Sequence, residues 1–435
     1  MRVCLVSPAR PFSGRVPMEP PILGHLGALT LRAMPDAELE LVDADAQVFD
    51  PGAVDADLVG ISAMTATATW AYAAADALRA RGVPVVLGGI HPTALPEEAA
   101  RHADAVVVGE AESVWQQVLV DAAAGRLRAR YDGERLPLDG LPAPLRIEGP
   151  YRFRAVFTAR GCPYRCTFCS VRTFFGDTVR FRPIPEVVAQ VAAMPDRVYF
   201  NGDDNIWGTD VARSIALYRE LAGAGRKRWY GFGDLRSVQG ERGDELIAAA
   251  RASGLFSVWV GWETSEASLA GFHASAKQGR DRESAVRRLK SAGIDVVLFV
   301  VLGGREEGVD GFRRAVELAD RLDVGVHPVL LTPLPGTELY DEYRPHLVPG
   351  LGWDRYTGTH AVFEHPDPAL TPEARERAYY ETSLELLSLP RIVGHAARMP
   401  AAAWPAGPAL SVMKALPLRR AMRRAFAEWE ASRAT

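Results

Sequence analysis

Cysteine and lysine are equally scarce in this chain. Four cysteines occur in 435 residues. They are neither dispersed nor paired along the sequence, which excludes a disulfide-stapled secreted scaffold. Lysine stands only at positions 227, 277, 290 and 414, so arginine carries nearly all the positive charge. With 50 basic and 54 acidic residues the formal net charge is −4, and no global field of one sign draws in nucleic acid. No apolar run reaches the length of a membrane span. The N-terminal stretch MRVCLVSPARP is too short in its apolar part for a signal peptide. These absences lead to the expectation of a cytoplasmic protein in a reducing compartment. Internal repeats and low-complexity tracts are missing as well.

What is present is alternation. Up to about residue 125, the runs RVCLVS, ELELVDA, ADLVGIS, VPVVLGG and ADAVVVGE read as strands, and ILGHLGALTLRAM, TWAYAAADALRARG and LPEEAARHA carry helical spacing between them. That order predicts an α/β domain over 1–135, a doubly wound parallel sheet with ligands beyond the strands' carboxyl ends. Residues 126–150 are rich in Pro and Gly and read as a linker. A second series follows in RAVFTA, RVYFNGD, RWYGFGD, SVWVGWET, DVVLFVVLGG and GVHPVLLTPLPG. Six βα units over 150–340 predict a partial TIM-type barrel. Residues 341–435 predict a mostly helical extension, with Thr371 capping a helix that opens on Pro372. Its last segment, ALPLRRAMRRAFAEWEAS, reads as a basic helix docked on the barrel, with a membrane-surface role as the alternative. Cys4, inside the apolar RVCLV run, reads as a small buried core residue.

The other three cysteines, Cys162, Cys166 and Cys169, lie together in TARGCPYRCTFCS. A structural zinc site normally offers a fourth Cys or His at matching spacing. The nearest histidines in sequence, His102 and His273, offer none. Three thiolates in one tight loop can instead hold three corners of a 4Fe-4S cubane and leave one iron open to a ligand. The loop follows the first barrel strand, at the face where barrel enzymes keep their active sites. Gly161 lets the backbone close around the metal, and Pro163 stiffens the turn.

This spacing, with Phe168 before the last cysteine, resembles the radical S-adenosylmethionine superfamily. The resemblance implies that the open iron chelates S-adenosylmethionine, that one electron cleaves it to a 5′-deoxyadenosyl radical, and that an electron donor such as flavodoxin or ferredoxin supplies that electron. It implies that Phe168 packs against the adenine. Asp203 and Asp204, in YFNGDDNIWG, fall where the family binds the methionyl ammonium. Arg236 in GFGDLRS falls within reach of a carboxylate, and Glu263 in VGWETSEASL at a strand end that often contacts S-adenosylmethionine. Gly303 and Gly304, in FVVLGGREE, would admit the adenine to the backbone.

The first domain resembles the cobalamin-binding domain that precedes the barrel in one large subfamily. Ser62 and Thr65, in DLVGISAMTAT, and the pair Gly88 and Gly89, in VVLGGIHPT, carry the likeness. The loop after the first strand, SPARPFSGR, lacks the Asp-x-His-x-x-Gly that gives cobalt a lower histidine. The resemblance therefore implies cobalamin held without a protein imidazole, with His91 expected to shape a turn rather than to ligate. Together the two cofactors imply a cobalamin-dependent C-methyltransferase acting on an unactivated carbon of a specialised metabolite. The alternatives are a radical cyclase, ring-rearranging enzyme or oxidoreductase without methyl transfer and, more distantly, a zinc-stabilised binding module. The expected partner is a small molecule rather than nucleic acid.

Overall fold

A computed structural model describes residues 1–11, 18–151, 153–207, 210–225, 227–262, 271–274, 280–398 and 407–433. In the first strand, β1 (Arg2–Ser7), the four consecutive residues Val3, Cys4, Leu5 and Val6 are each no more than 1% exposed. Burial on both faces suits a central strand of a parallel sheet covered by helices on both sides. Cys4 and Val6 pack toward the helix Ala68–Ala80, whose Ala68, Ala71 and Ala75 let it lie close to the sheet. Val3 and Leu5 pack toward the helices Pro21–Ala33 and Trp115–Ala123.

The remaining strands are β2 (Glu38–Asp43), β3 (Leu58–Ser62), β4 (Val85–Gly88), β5 (Ala105–Gly109) and β6 (Arg130–Gly133). They join β1 in the order β2-β1-β3-β4-β5-β6, all parallel. The order reverses direction at β1 and β3, which opens a ligand crevice at the carboxyl ends there. β6 falls inside the stretch read as a linker. Only Tyr131 of its four residues is buried, so the strand has no period to recognise. Tyr131 donates its hydroxyl to Asp121 at 2.9 Å, and that bond ties the edge strand down.

The second sheet is parallel and runs in sequence order: β7 (Arg154–Val156), then β10 (Val198–Asn201), β11 (Arg228–Gly233), β12 (Leu255–Gly261), β13 (Asp295–Leu302) and β14 (Gly325–Leu330). Sequential order is that of a barrel, and β7 and β14 form its two edges. Along β13 burial alternates strictly. Val296, Leu298, Val300 and Leu302 sit under the outer helices, and Val297, Phe299 and Val301 face the interior, half-buried. Phe200, Phe232, Trp259, Phe299 and His327 form a run of ring contacts across that interior, at 4.7–6.1 Å between centroids. Two short strands, β8 (Ala159–Arg160) and β9 (Arg180–Phe181), pair antiparallel beside the barrel.

The extension is helical as expected. The Thr371 hydroxyl accepts from the Ala374 amide at 3.2 Å and caps the helix Pro372–Leu386. The basic helix Gly407–Ala431 buries Met422 and Trp429, and the Trp429 indole donates to Glu376 at 2.5 Å. It is docked, as its apolar face requires. Among the described residues no helix is long and apolar enough to cross a membrane.

Candidate active site between the two sheets

The cysteine loop is held at its root. β8 leads into it and β9 receives it, so residues 161–179 close a hairpin. At the hinge, Gly161 has φ +96°, and a β-carbon there would lie 2.5 Å from the Thr178 carbonyl oxygen. Only glycine fits that position. Two carboxylates at the end of β10 complete the anchorage. Asp203, 2% exposed, accepts from the Thr158 amide (2.6 Å), the Thr158 hydroxyl (2.5 Å) and the Ala159 amide (2.9 Å). Asp204 accepts from the Gly161 amide at 2.9 Å. Burial raises both carboxyls to about 6 against the opposing pull of these hydrogen bonds.

Within the loop the Cys169 amide donates to the Cys166 carbonyl at 3.1 Å. The Thr167 amide donates to the Phe272 carbonyl at 3.0 Å, and Tyr164 is hydrogen-bonded to Asp234. All three cysteines are free thiols. Burial, followed by the neighbouring Cys169 and Cys166, pushes the Cys162 thiol up to about 12. A bare thiolate is disfavoured there, so the loop suits a cationic occupant that takes the sulfurs as ligands. Among the described residues no three His, Cys, Asp or Glu side chains converge on a single ion. The three thiols fit a cluster by their chemistry and by their shared loop.

Phe168 meets Phe272 edge-on at 5.4 Å, and a β-carbon on Gly304 would lie 3.5 Å from Cζ of the same ring. The structure thus gathers Phe168 and Gly304 about one ring. Gly303 turns with φ +73°, its amide donating to Glu307 at 2.8 Å and its carbonyl accepting from Arg375 at 3.3 Å. Arg236 is exposed at the start of the short helix Arg236–Gln239, in the electrostatic field of Tyr164. Glu263 lies outside the described residues.

Asp203 takes a place its position in the sequence did not suggest. Each hydrogen bond its carboxylate accepts comes from Thr158 or Ala159, which lead into the cysteine loop, so the carboxylate anchors that approach. Asp203→Ala is expected to cost about 1–3 kcal/mol for each buried donor left unpaired. Thermal unfolding should register that loss, together with reduced iron uptake. Unchanged stability and iron content would show the anchorage to be dispensable.

Opposite the loop lies a cavity of about 220 Å³. Ser62, Gly88 and Gly89 line it from the first sheet, and Phe157, Gly202 and Asp204 line it from the second. The proline-rich stretch read as a linker supplies a wall through Leu138, Leu141, Pro142 and Pro144. Sequence reasoning missed this, because the segment has neither period nor polar motif. It also missed His25, Trp115 and Arg160, which line the same space. Gly89 has φ +100°, and a β-carbon there would meet the Ala63 carbonyl at 2.6 Å. Gly88 differs, since its β-carbon would make only ordinary contact with Val107 at 3.6 Å. Its bare backbone leaves space along the groove. The space is mostly apolar, paved by glycines, and lies against the carboxyl ends of β3, β4 and β5, the edge where ligands of this architecture bind.

Thr65 and His91 stand apart from this cavity. His91 is fully buried, 3.3 Å from the Thr65 hydroxyl and 3.4 Å from Glu98, with its ring edge-on to Trp353 at 4.8 Å. Burial lowers its pKa, the Glu98 contact notwithstanding. It packs the turn and does not line this cavity. His91→Ala is therefore expected to lower the melting temperature without altering the visible spectrum of bound cobalamin. A histidine-ligated spectrum lost in that variant would contradict the packing role.

Comparison with known families bears directly on both halves. The B12 binding domain family matches residues 30–119, and the Radical SAM superfamily matches residues 156–319. The chain joins a B12 binding domain to a radical SAM domain. Its second domain is of the radical SAM type, and the chain is an enzyme. Among curated proteins it is 28% identical over 370 residues to bacteriochlorophyllide d C-8(2)-methyltransferase of Chlorobaculum tepidum, covering 78% of this chain and 80% of that one. It is 27% identical over 326 residues to the C-12(1)-methyltransferase of the same organism, covering 71% and 70%. Among solved structures, the radical S-adenosylmethionine methyltransferase TsrM from Kitasatospora setae, with cobalamin and a [4Fe-4S] cluster bound, superposes with a TM-score of 0.66 at 18% identity, covering 88% of each chain. The residues matched by the B12 binding domain include the glycine-lined side of the cavity, and those matched by the radical SAM domain include the opposite side, with Phe157, Arg160 and Asp204 at the root of the cysteine loop. The expected fold, a doubly wound sheet followed by a partial barrel, is the one observed.

Proposed function

We propose that this enzyme is a cobalamin-dependent radical S-adenosylmethionine C-methyltransferase acting on an unactivated carbon of a specialised metabolite. The observation that carries the reading is the single cavity closed by the carboxyl ends of both sheets. Its first-sheet side is cleared by Gly88 and Gly89, and its second-sheet side is the root of the cysteine loop. When bound, the two cofactors supply a carbon-centred radical on the substrate and a methyl group to combine with it. The chain's own residues bind, orient and exclude water. Cys162, Cys166 and Cys169 would hold three irons of a cluster, and Phe168 and Gly304, which both meet Phe272, would offer a surface for the adenine. Asp204 keeps one carboxylate oxygen on the Gly161 amide at the edge of the cavity. The half-buried aromatic rings inside the barrel favour an apolar portion of the substrate. The relatives named above for methyl transfer to two positions of bacteriochlorophyllide d support carbon as the acceptor.

The test is turnover with candidate substrates under anaerobic conditions, followed by mass spectrometry. Methyl transfer requires a product heavier by one methyl and two S-adenosylmethionine molecules consumed for each methyl transferred. A rearranged or oxidised product of unchanged carbon count, formed with 5′-deoxyadenosine, would instead make the enzyme a cyclase, ring-rearranging enzyme or oxidoreductase.

A further inference from the structure

Arg160 immediately precedes Gly161 and Cys162, yet its guanidinium reaches into the other domain. Nη1 donates to Glu110 at 2.6 Å, and Nη2 lies 2.6 Å from Glu112. Both carboxylates stand just after β5, at the carboxyl edge of the first sheet, and Glu110 is 4% exposed. Glu110 is shared with Arg180 of β9, so both strands at the root of the cysteine loop are tied to one carboxylate. Glu112 accepts in turn from His25 at 2.8 Å, on the helix Pro21–Ala33 that walls the groove. Burial alone would raise the Glu112 carboxyl, but the His25 hydrogen bond and the Arg160 charge outweigh it and hold it near about 2. Arg160 also lies 5.9 Å over the ring of Phe175, at the far end of the short helix Ser170–Phe175 that follows Cys169. One side chain therefore touches the beginning and the end of the cysteine segment and the rim of the opposite domain. His25, Glu110, Glu112, Arg160 and Phe175 all line the cavity.

A buried ion network of this kind resists partial disruption, because removing one partner leaves another charge uncompensated. Displacement of the cavity wall by a ligand is thus transmitted to Arg160 rather than absorbed locally. We propose that Arg160 is a positioning residue that couples filling of the cavity to the geometry of the cysteine loop, so that the two cofactor sites bind cooperatively. This rests on the reading that the cavity takes cobalamin. Coupling between binding sites is reciprocal, so it can be read from either side.

The experiment uses the full chain, reconstituted anaerobically with iron and sulfide. S-adenosylmethionine is titrated against the electron paramagnetic resonance signal of the reduced cluster, with and without saturating hydroxocobalamin. In the parent, cobalamin is expected to change the S-adenosylmethionine affinity by about fivefold to 150-fold. In Arg160→Gln, compared with the parent at equal cluster loading and at saturating cobalamin for each protein, that ratio should fall toward one. A residue that merely glued the domains would lower stability and leave the ratio intact. If Arg160→Gln does not fold, Glu112→Gln removes one of its two partners and should shrink the ratio partway. An unchanged ratio in the variants, or a ratio of one in the parent, overturns the inference and leaves the cobalamin reading standing. A parent that binds no cobalamin overturns both.

Discussion

Cys162→Ala, Cys166→Ala and Cys169→Ala are each expected to abolish reductive cleavage of S-adenosylmethionine, whereas Cys4→Ala retains it. A cubane held at three corners loses its only protein grip on one iron when any thiolate is removed, and no spare thiol lies within the loop. Cys4 sits in β1 at 1% exposure, with its thiol pushed up to about 12 by burial and then by Glu40. It is core packing, and its removal costs stability rather than iron. Reconstituted parent protein should carry about four irons and four sulfides per chain. Release of 5′-deoxyadenosine, scored against iron content, separates the two classes of cysteine. Cleavage surviving in any of the three loop variants, or stoichiometric zinc in anaerobically purified parent, would defeat the cluster assignment.

Gly88→Leu is expected to lower cobalamin affinity by about fivefold to 150-fold, since overpacking costs about 1–3 kcal/mol and each 1.4 kcal/mol is tenfold. Gly88 is a cleaner probe than Gly89. At Gly89 any side chain forces a left-handed residue against the Ala63 carbonyl, so lost binding there would mix strain with blockage. At Gly88 the backbone accepts a side chain, and the added atoms go into the groove beside Val107. Titration followed by the visible spectrum of the corrin reads the effect. The same spectrum should show a base-off form without protein imidazole, because His91 is enclosed by Thr65, Glu98 and Trp353 and His25, which lines the cavity, is held on Glu112. Parental affinity in Gly88→Leu would place the corrin's tail elsewhere.

The strands of both sheets were readable because fully buried parallel strands announce themselves as short apolar runs. The cysteine loop was readable because its spacing has few other uses. β6 and the cavity wall from Leu138 to Pro144 were not, since one buried tyrosine and a few prolines leave no periodic trace. Asp203 and Asp204 look alike in sequence, two carboxylates at one strand end. Only the fold separates them: Asp203 turns back to clamp Thr158 and Ala159, and Asp204 turns to the cavity. Thr65 likewise shares a motif with Ser62 but points to His91 instead. Arg160 carried no signal, because its partners lie 50 and 48 residues away in another domain. Contacts between domains are the part of a site that local pattern cannot supply.

The central claim is that the root of the cysteine loop and the glycine-lined groove share one cavity. The most direct measurement is electron paramagnetic resonance of the full chain carrying both the reduced cluster and cob(II)alamin, each of which bears an unpaired electron. Two centres sharing this cavity should perturb one another, and the cob(II)alamin signal should be broadened or split relative to the same protein with its cluster oxidised and diamagnetic. Two superimposed, non-interacting spectra from doubly loaded protein would contradict the account.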